Sequence, residues 1–149
     1  MKIAKIQSSG KEGAEKAALM AANKIGISIT GWKPKKSEVK RKELKETPST
    51  KEEQSIIWNV RDSHATLIIE PMDVSSAASL AYEVAESFGR PYIISDDAQD
   101  IIHWLNTLDE EITLNVTGPS ENESKGITKK TREILAEVFA TFDSFLLEV

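Results

Sequence analysis

Apolar and polar positions alternate along this chain between two periods, a short one that fits strands and a longer one that fits helices. Ile3 to Gln7 reads as a strand, and Ala14 to Ile25 as an alanine-rich helix closed by Gly26, a natural residue just past a helix end. "ISITGW" (Ile27 to Trp32) reads as a second strand. After a basic stretch, "PSTKEEQSIIWNVRDS" opens a helix, with Ser49 and Glu52, or Thr50 and Glu53, at capping-box spacing. "ATLIIE" (Ala65 to Glu70) is short, apolar and β-branched, a buried strand. Ser76 to Phe88 predicts a helix ending at Gly89, with Ala77, Leu80, Ala81, Val84 and Phe88 at helical spacing. "RPYIISDD" supplies a fourth strand. Asp97 or Asp100 is placed to cap "AQDIIHWLNTL", and "EITLNVTGP" is a fifth strand. A final helix, about Thr128 to Leu147, puts Ile134, Leu135, Val138, Phe139 and Phe142 on one stripe.

Five strands alternating with five helices predict a three-layer α/β domain over 1–149: a mainly parallel sheet of about five strands, covered by helices on both faces. Parallel neighbours need helical crossovers, and ligands of such sheets bind outside the carboxyl ends of the strands. The strand-to-helix loops 7–13, 33–49, 70–75, 95–98 and 116–127 are therefore the candidate site elements.

Composition narrows the chemistry. The chain has 149 residues and no cysteine, which removes disulfides, thiolate catalysis and Cys-ligated metal. The apolar runs are too short to span a bilayer, and "MKIAKIQSSG" lacks a signal-peptide core, so the expectation is a cytoplasmic protein without a membrane partner. Net charge is −5, yet segment 33–45, "KPKKSEVKRKELK", carries seven basic and two acidic residues. An acidic body with one basic segment argues against nucleic acid as a partner, which favours a broad basic face. It leaves room for a lid in which Lys33, Lys35 or Lys36 reaches an anionic ligand, although such runs are commonly just solvated.

The first loop, "SSGKEG" (Ser8 to Gly13), has the layout of a phosphate cradle. Gly10 and Gly13 permit a tight turn and close approach, Ser8 and Ser9 offer hydroxyls, and a helix N-terminus follows. That terminus contributes about 0.3–1 kcal/mol toward an anion. A carboxylate roughly 4 Å from a phosphate repels it by about 4 kcal/mol at an effective dielectric of 20. Glu12 thus opposes a phosphate if turned inward, unless Lys11 offsets it, and turned toward the helix it becomes a substitute anion. The plain alternative is an ordinary strand–turn–helix connection with Glu15 satisfying the first turn. Asn59, Arg61 and Asp62 end a helix just before the central strand and are either pocket-facing or structural. His64 and His103 belong to no ligand spacing, no metal or Ser/His/Asp motif stands out, and Trp32, Trp58 and Trp104 read as core or interface.

Several segments, in one order, resemble the putative molybdenum-cofactor carrier family, a circularly permuted branch of the Rossmann-like SLOG superfamily. The family's "SGGQTGVDRAALDAA" corresponds to "SSGKEGAEKAALMAA" (Ser8 to Ala22). Its Gly-Trp-x-Pro corresponds to Gly31–Pro34, "LKET.S" to Leu44–Ser49, and Asn-Val-x-Asp-Ser to Asn59–Ser63. "GKPY" corresponds to Gly89–Tyr92 and "LNVAGPRES" to "LNVTGPSENES" (Leu114 to Ser124). The resemblance implies a homo-oligomer, dimer or tetramer, binding a phosphate-bearing ligand: molybdenum cofactor (a pterin phosphate) or a nucleotide. The site it implies is made of Ser8, Ser9, Gly10, Lys11, Gly13, Asn59, Arg61, Asp62, Ser76, Ala77, Asn115 and Gly118. The ligand loops depart from the pattern. Gly-Gly-x-Thr-Gly becomes Ser9-Gly10-Lys11-Glu12-Gly13, and a later Gly-Gly-Thr becomes Ser76-Ala77-Ala78. Three functions follow: a non-enzymatic carrier or sensor of altered specificity, an interaction subunit that has lost its ligand, or a nucleotide N-glycosidic hydrolase using Glu83.

Overall fold

The computed structural model describes residues 1–70, 76–109 and 111–142, the side chains of 76–78 excepted. Strands β1 (Lys2–Gln7), β2 (Ser28–Thr30), β5 (Ala65–Ile68), β6 (Tyr92–Ile94) and β7 (Glu111–Thr117) form one sheet, every pair parallel, in the order β2-β1-β7-β5-β6. Two further short strands, β3 (Trp32–Lys33) and β4 (Lys45–Glu46), make a separate parallel ribbon. Helices α1 (Ala14–Ile25), α4 (Ala98–Leu105) and α5 (Ile127–Phe142) pack on one face, and α2 (Glu52–Arg61) and α3 (Ser76–Ser87) on the other. Counted from β5 as the first strand, the order becomes 2-1-3-4-5, the flavodoxin-like arrangement. The chain thus follows a familiar doubly wound sheet from a shifted starting point.

Alternation in the strands separates the two cores. Leu67 of β5 joins Leu19, Ile101, Leu114, Leu135 and Phe139 in the larger one. Its neighbour Ile68 points the opposite way, to Val60, Ala81, Val84 and Ala85. Both residues are fully buried.

The expected three-layer α/β fold is present, with three local differences. "ISITGW" does not continue as one strand. At Gly31 (φ 150°) a Cβ would lie 1.9 Å from the Ser8 carbonyl oxygen, so the backbone closes onto β1 and leaves the sheet there. The capping box at Ser49 or Thr50 does not form. Helix α2 starts after Lys51, which provides no side-chain cap, and instead the Ser49 N–H donates to Gln54 Oε1 at 2.9 Å. The last helix begins at Ile127, and its expected end beyond Phe142 lies outside the described residues. Asp97 does cap α4, accepting from the Gln99 and Asp100 N–H groups. Among the described residues, no helix is long and apolar enough to cross a membrane.

Candidate functional site

Because α1 and α2 lie on opposite faces, the loops that follow β1 and β2 diverge at the carboxyl edge of the sheet and leave a crevice. The basic segment covers it. Its two ends are held together by the β3–β4 ribbon, where the Lys45 N–H donates to the Gly31 carbonyl and the Thr47 N–H to that of Lys33, both at 2.9 Å. The Lys35 N–H donates to the Ser49 carbonyl at 3.0 Å, and Lys33 Nζ reaches back to the Val39 carbonyl at 2.7 Å. Val39 and Leu44 then rest on Gly10 (φ 73°), where a Cβ would meet them at a tight 3.0 and 3.2 Å. The result is a cleft of about 730 Å³. Its floor comes from Ser9–Glu12, Glu15, Lys16 and Gly118, its roof from 34–41, and its side from Glu52, Ser55 and Ile56 of α2.

Glu15 occupies the place where a phosphate was expected. One carboxylate oxygen accepts from Ser9 Oγ and the other from Thr117 Oγ1 at 2.7 Å, and the nearby Lys11 backbone amide also favours its charged form. Burial pushes the Glu15 carboxyl above its ordinary range, and these donors offset it only in part. Other polar groups of the turn are engaged as well. The Gly10 N–H donates to Ser8 Oγ at 3.0 Å and Ser8 Oγ to the Glu15 carbonyl at 3.1 Å. The Ala14 and Lys16 N–H groups donate to the carbonyls of Pro119 and Lys11. Helix α5, by contrast, is closed by a carboxylate from within the chain. Glu121 accepts from the Gly126 and Thr128 N–H groups and the Thr128 hydroxyl, which holds its carboxyl below the usual range, the Gly126 N–H acting most strongly. Glu123 likewise accepts from the Ser120 N–H, with the same downward effect.

The internal anion is therefore Glu15 and not Glu12, whose residue is exposed at the rim. The phase of α1 decides this: Gly13 (φ 118°) turns the chain so that Ala14 starts the helix, and the second helical position faces the sheet end. A Cβ on Gly13 would sit 2.6 Å from the Pro119 carbonyl, so the turn is shaped by contact with the loop after β7. Thr117 and Glu15 were missed as a pair in the sequence. The available signal was the acid that both "SSGKEGAE" and the family's "SGGQTGVD" carry at that position.

Of the residues expected at the site, Ser9, Gly10, Lys11 and Gly118 line the cleft. Ser8 lies beneath it, buried, with its hydroxyl engaged as described. Lys11 is ion-paired to Glu52 across the mouth at 2.8 Å, both side chains about half exposed. Such a pair contributes about 0–1 kcal/mol, so a ligand can displace it. Asn59 is a structural latch. Its Oδ1 accepts from Gln7 Nε2 (3.0 Å) and the Trp32 N–H (2.8 Å), and its Nδ2 donates to the Trp32 carbonyl (2.9 Å). Arg61 and Asp62 pair with each other at 2.8 Å on the outside of α2, where Asp62 also accepts from Trp32 Nε1 and Arg61 lies 4.8 Å from the Trp58 ring centre. Asn115 is buried in the sheet and donates to Thr66 Oγ1 at 3.3 Å. Ser76 and Ala77 open α3, but their side chains lie outside the described residues. Of the three lysines expected in the lid, Lys35 and Lys36 line the cleft together with Lys40 and Arg41, whereas Lys33 is turned to Val39. Glu83 is exposed on α3.

A permuted parallel sheet with a roofed cleft at its carboxyl edge defines a Rossmann-like α/β protein. Residues 6–139 match the model of the circularly permutated YpsA SLOG family, and the chain belongs to that family. Among solved structures it is similar to a crystal structure from Syntrophus aciditrophicus SB named "Putative molybdenum carrier protein", with 30% identity and a TM-score of 0.81. That likeness covers 92% of this chain and 94% of the other. No curated protein matches.

Proposed function

We propose that this chain is a non-enzymatic carrier or sensor of a small phosphate-bearing molecule, a pterin phosphate of the molybdenum-cofactor kind or a nucleotide derivative, with a specificity altered from that of its relatives. The observation that carries this reading is the 730 Å³ cleft roofed by Lys35, Lys36, Lys40 and Arg41. Ligand pockets for small molecules fall at about 300–1,000 Å³, and the cations suit an anionic group. The name of the similar crystal structure supports the molybdenum reading. In this proposal the protein works in the cytoplasm as a homo-oligomer, dimer or tetramer, without nucleic acid or membrane. Native mass spectrometry of gently purified protein, followed by a denaturing run, tests it. A small molecule released at one per subunit or per interface is expected, and an empty protein counts against tight carriage.

A second reading, an interaction subunit that has lost its ligand, is favoured by one observation: from within the chain, Glu15 engages two hydroxyls of the floor and Glu121 the entrance of α5. It predicts an empty oligomer that binds neither nucleotides nor phosphate by calorimetry. The hydrolase reading rests on Glu83, and base release from nucleoside monophosphates that is lost in Glu83→Gln would be its signature.

A further inference from the structure

We infer that the cleft holds its ligand in reverse of the usual phosphate-loop orientation: Glu15 receives an exocyclic amino group of a heterocyclic ring, and the roof cations meet the ligand's anionic tail. The inference rests on the cleft being the ligand site, as proposed above.

The hydroxyls of the floor are not free to receive an anion. Ser9 Oγ and Thr117 Oγ1, the hydroxyls that would receive a phosphate, both donate to one carboxylate. An ionised carboxyl has about four acceptor sites and donates nothing. Two are taken, so Glu15, which lines the cleft, keeps capacity for a further N–H donor. Charge in the cleft is segregated as well. Among the described residues, four of the six charged groups on the floor and side are carboxylates, whereas four of the five on the roof are cations. Again among the described residues, none of those four cations takes part in an ion pair. A ligand of uniform negative charge fits only the roof. A ring amine joined to a phosphate tail satisfies both ends, the combination found in guanine nucleotides and in aminopterin phosphates alike.

GMP and IMP separate the two ends, because IMP keeps the tail and the ring but lacks the 2-amino group. Calorimetric titration of the full chain with GMP, IMP and inorganic phosphate is expected to show GMP binding about tenfold or more tighter than IMP, the effect of one hydrogen bond to a charged acceptor. Glu15→Gln should erase that ratio. The double variant Lys40→Ala, Arg41→Ala should weaken both nucleotides by a similar factor and leave the ratio intact, a readout that does not depend on the Glu15 variant folding. Equal binding of GMP and IMP by the unaltered protein overturns the inference alone. So does a Glu15→Gln protein that gains inorganic phosphate and binds both nucleotides more tightly, because the loop is then a conventional anion seat. Failure of the unaltered protein to bind either nucleotide overturns the inference, and the function it rests on falls only if native mass spectrometry also finds the protein empty.

Discussion

Glu15 and Thr117, 102 positions apart in the chain, meet at 2.7 Å where the first turn of α1 crosses the end of β7. This contact joins the two loops that carry the floor of the cleft. It also fixes a negative charge in a partly buried place, and stability should register that.

Burial raises the Glu15 carboxyl pKa above the ordinary 4.5, so the group ionises more readily in the unfolded chain than in the folded one. Its contribution to stability is fully present below the unfolded-chain value and is lost as pH rises through the higher folded value. Glu15→Gln removes the titration while keeping the shape. Urea unfolding midpoints should therefore favour the variant increasingly from about pH 4.5 upward. Asp62, held low chiefly by its hydrogen bond to Arg61, has the opposite trend and is common to both proteins. A constant difference across the range would mean that Glu15 titrates alike in the folded and unfolded states.

Replacing Asn59 by Ala strands Gln7 Nε2 and both backbone groups of Trp32. Each buried polar group left without a partner costs about 1–3 kcal/mol. Partial access of water to the half-buried Trp32 brings the expected total to about 3 kcal/mol, read from the unfolding midpoint.

Gly13→Ala places a methyl 2.6 Å from the Pro119 carbonyl and 2.7 Å from the Glu121 nitrogen, at a φ of 118°. Strain of this backbone kind costs about 1–3 kcal/mol before any clash. Gly126→Ala is the control: its φ is also positive, but nothing lies within 4 Å of the new carbon. The first variant should lose clearly more stability than the second. Equal losses would show that contact between the two floor loops is not what shapes the turn.

Lys33→Ala removes the 2.7 Å bond that draws Val39 down toward the cleft. The roof carries its own trypsin sites at Lys35, Lys36, Lys40, Arg41 and Lys42. Limited trypsin digestion followed by mass spectrometry should show cleavage in 35–42 accelerated several-fold relative to the unaltered protein, because nicking follows local opening. An unchanged rate would assign the hold on the roof to the β3–β4 ribbon alone.

The fold was legible because each element announced itself locally. "ATLII" is short and β-branched, α1 runs from a glycine to a glycine, and Asp97 sits one residue ahead of its helix. Where the reading overran, the cause was tertiary. Strand periodicity continues through "ISITGW", and only the approach of Gly31 to Ser8 ends it. The site was half legible. Loop 8–13 and the basic segment were both recognised, and they do face each other across the cleft. Which acid of "KEGAE" faces inward could not be read locally, since it depends on helical phase and on a hydroxyl 102 residues away. Asn59 could be read either way from sequence: a polar side chain at a helix end beside a site suits a ligand contact or a structural role, and its amide is engaged by β1 and Trp32.

The β3–β4 ribbon has a kinetic consequence. Because Trp32 and Lys33 are paired side by side with Lys45 and Glu46, the residues between them form a flap on a narrow neck. Its two feet are anchored to the body through Asn59 and Gly31. Opening such a flap leaves the five-stranded sheet undisturbed, and the ends of the loop never have to find one another again. If the cleft carries cargo as proposed, exchange needs only loop motion, nanoseconds to microseconds, without partial unfolding. For a protein that hands its ligand on, the residence time is then set by the grip within the cleft and not by the door.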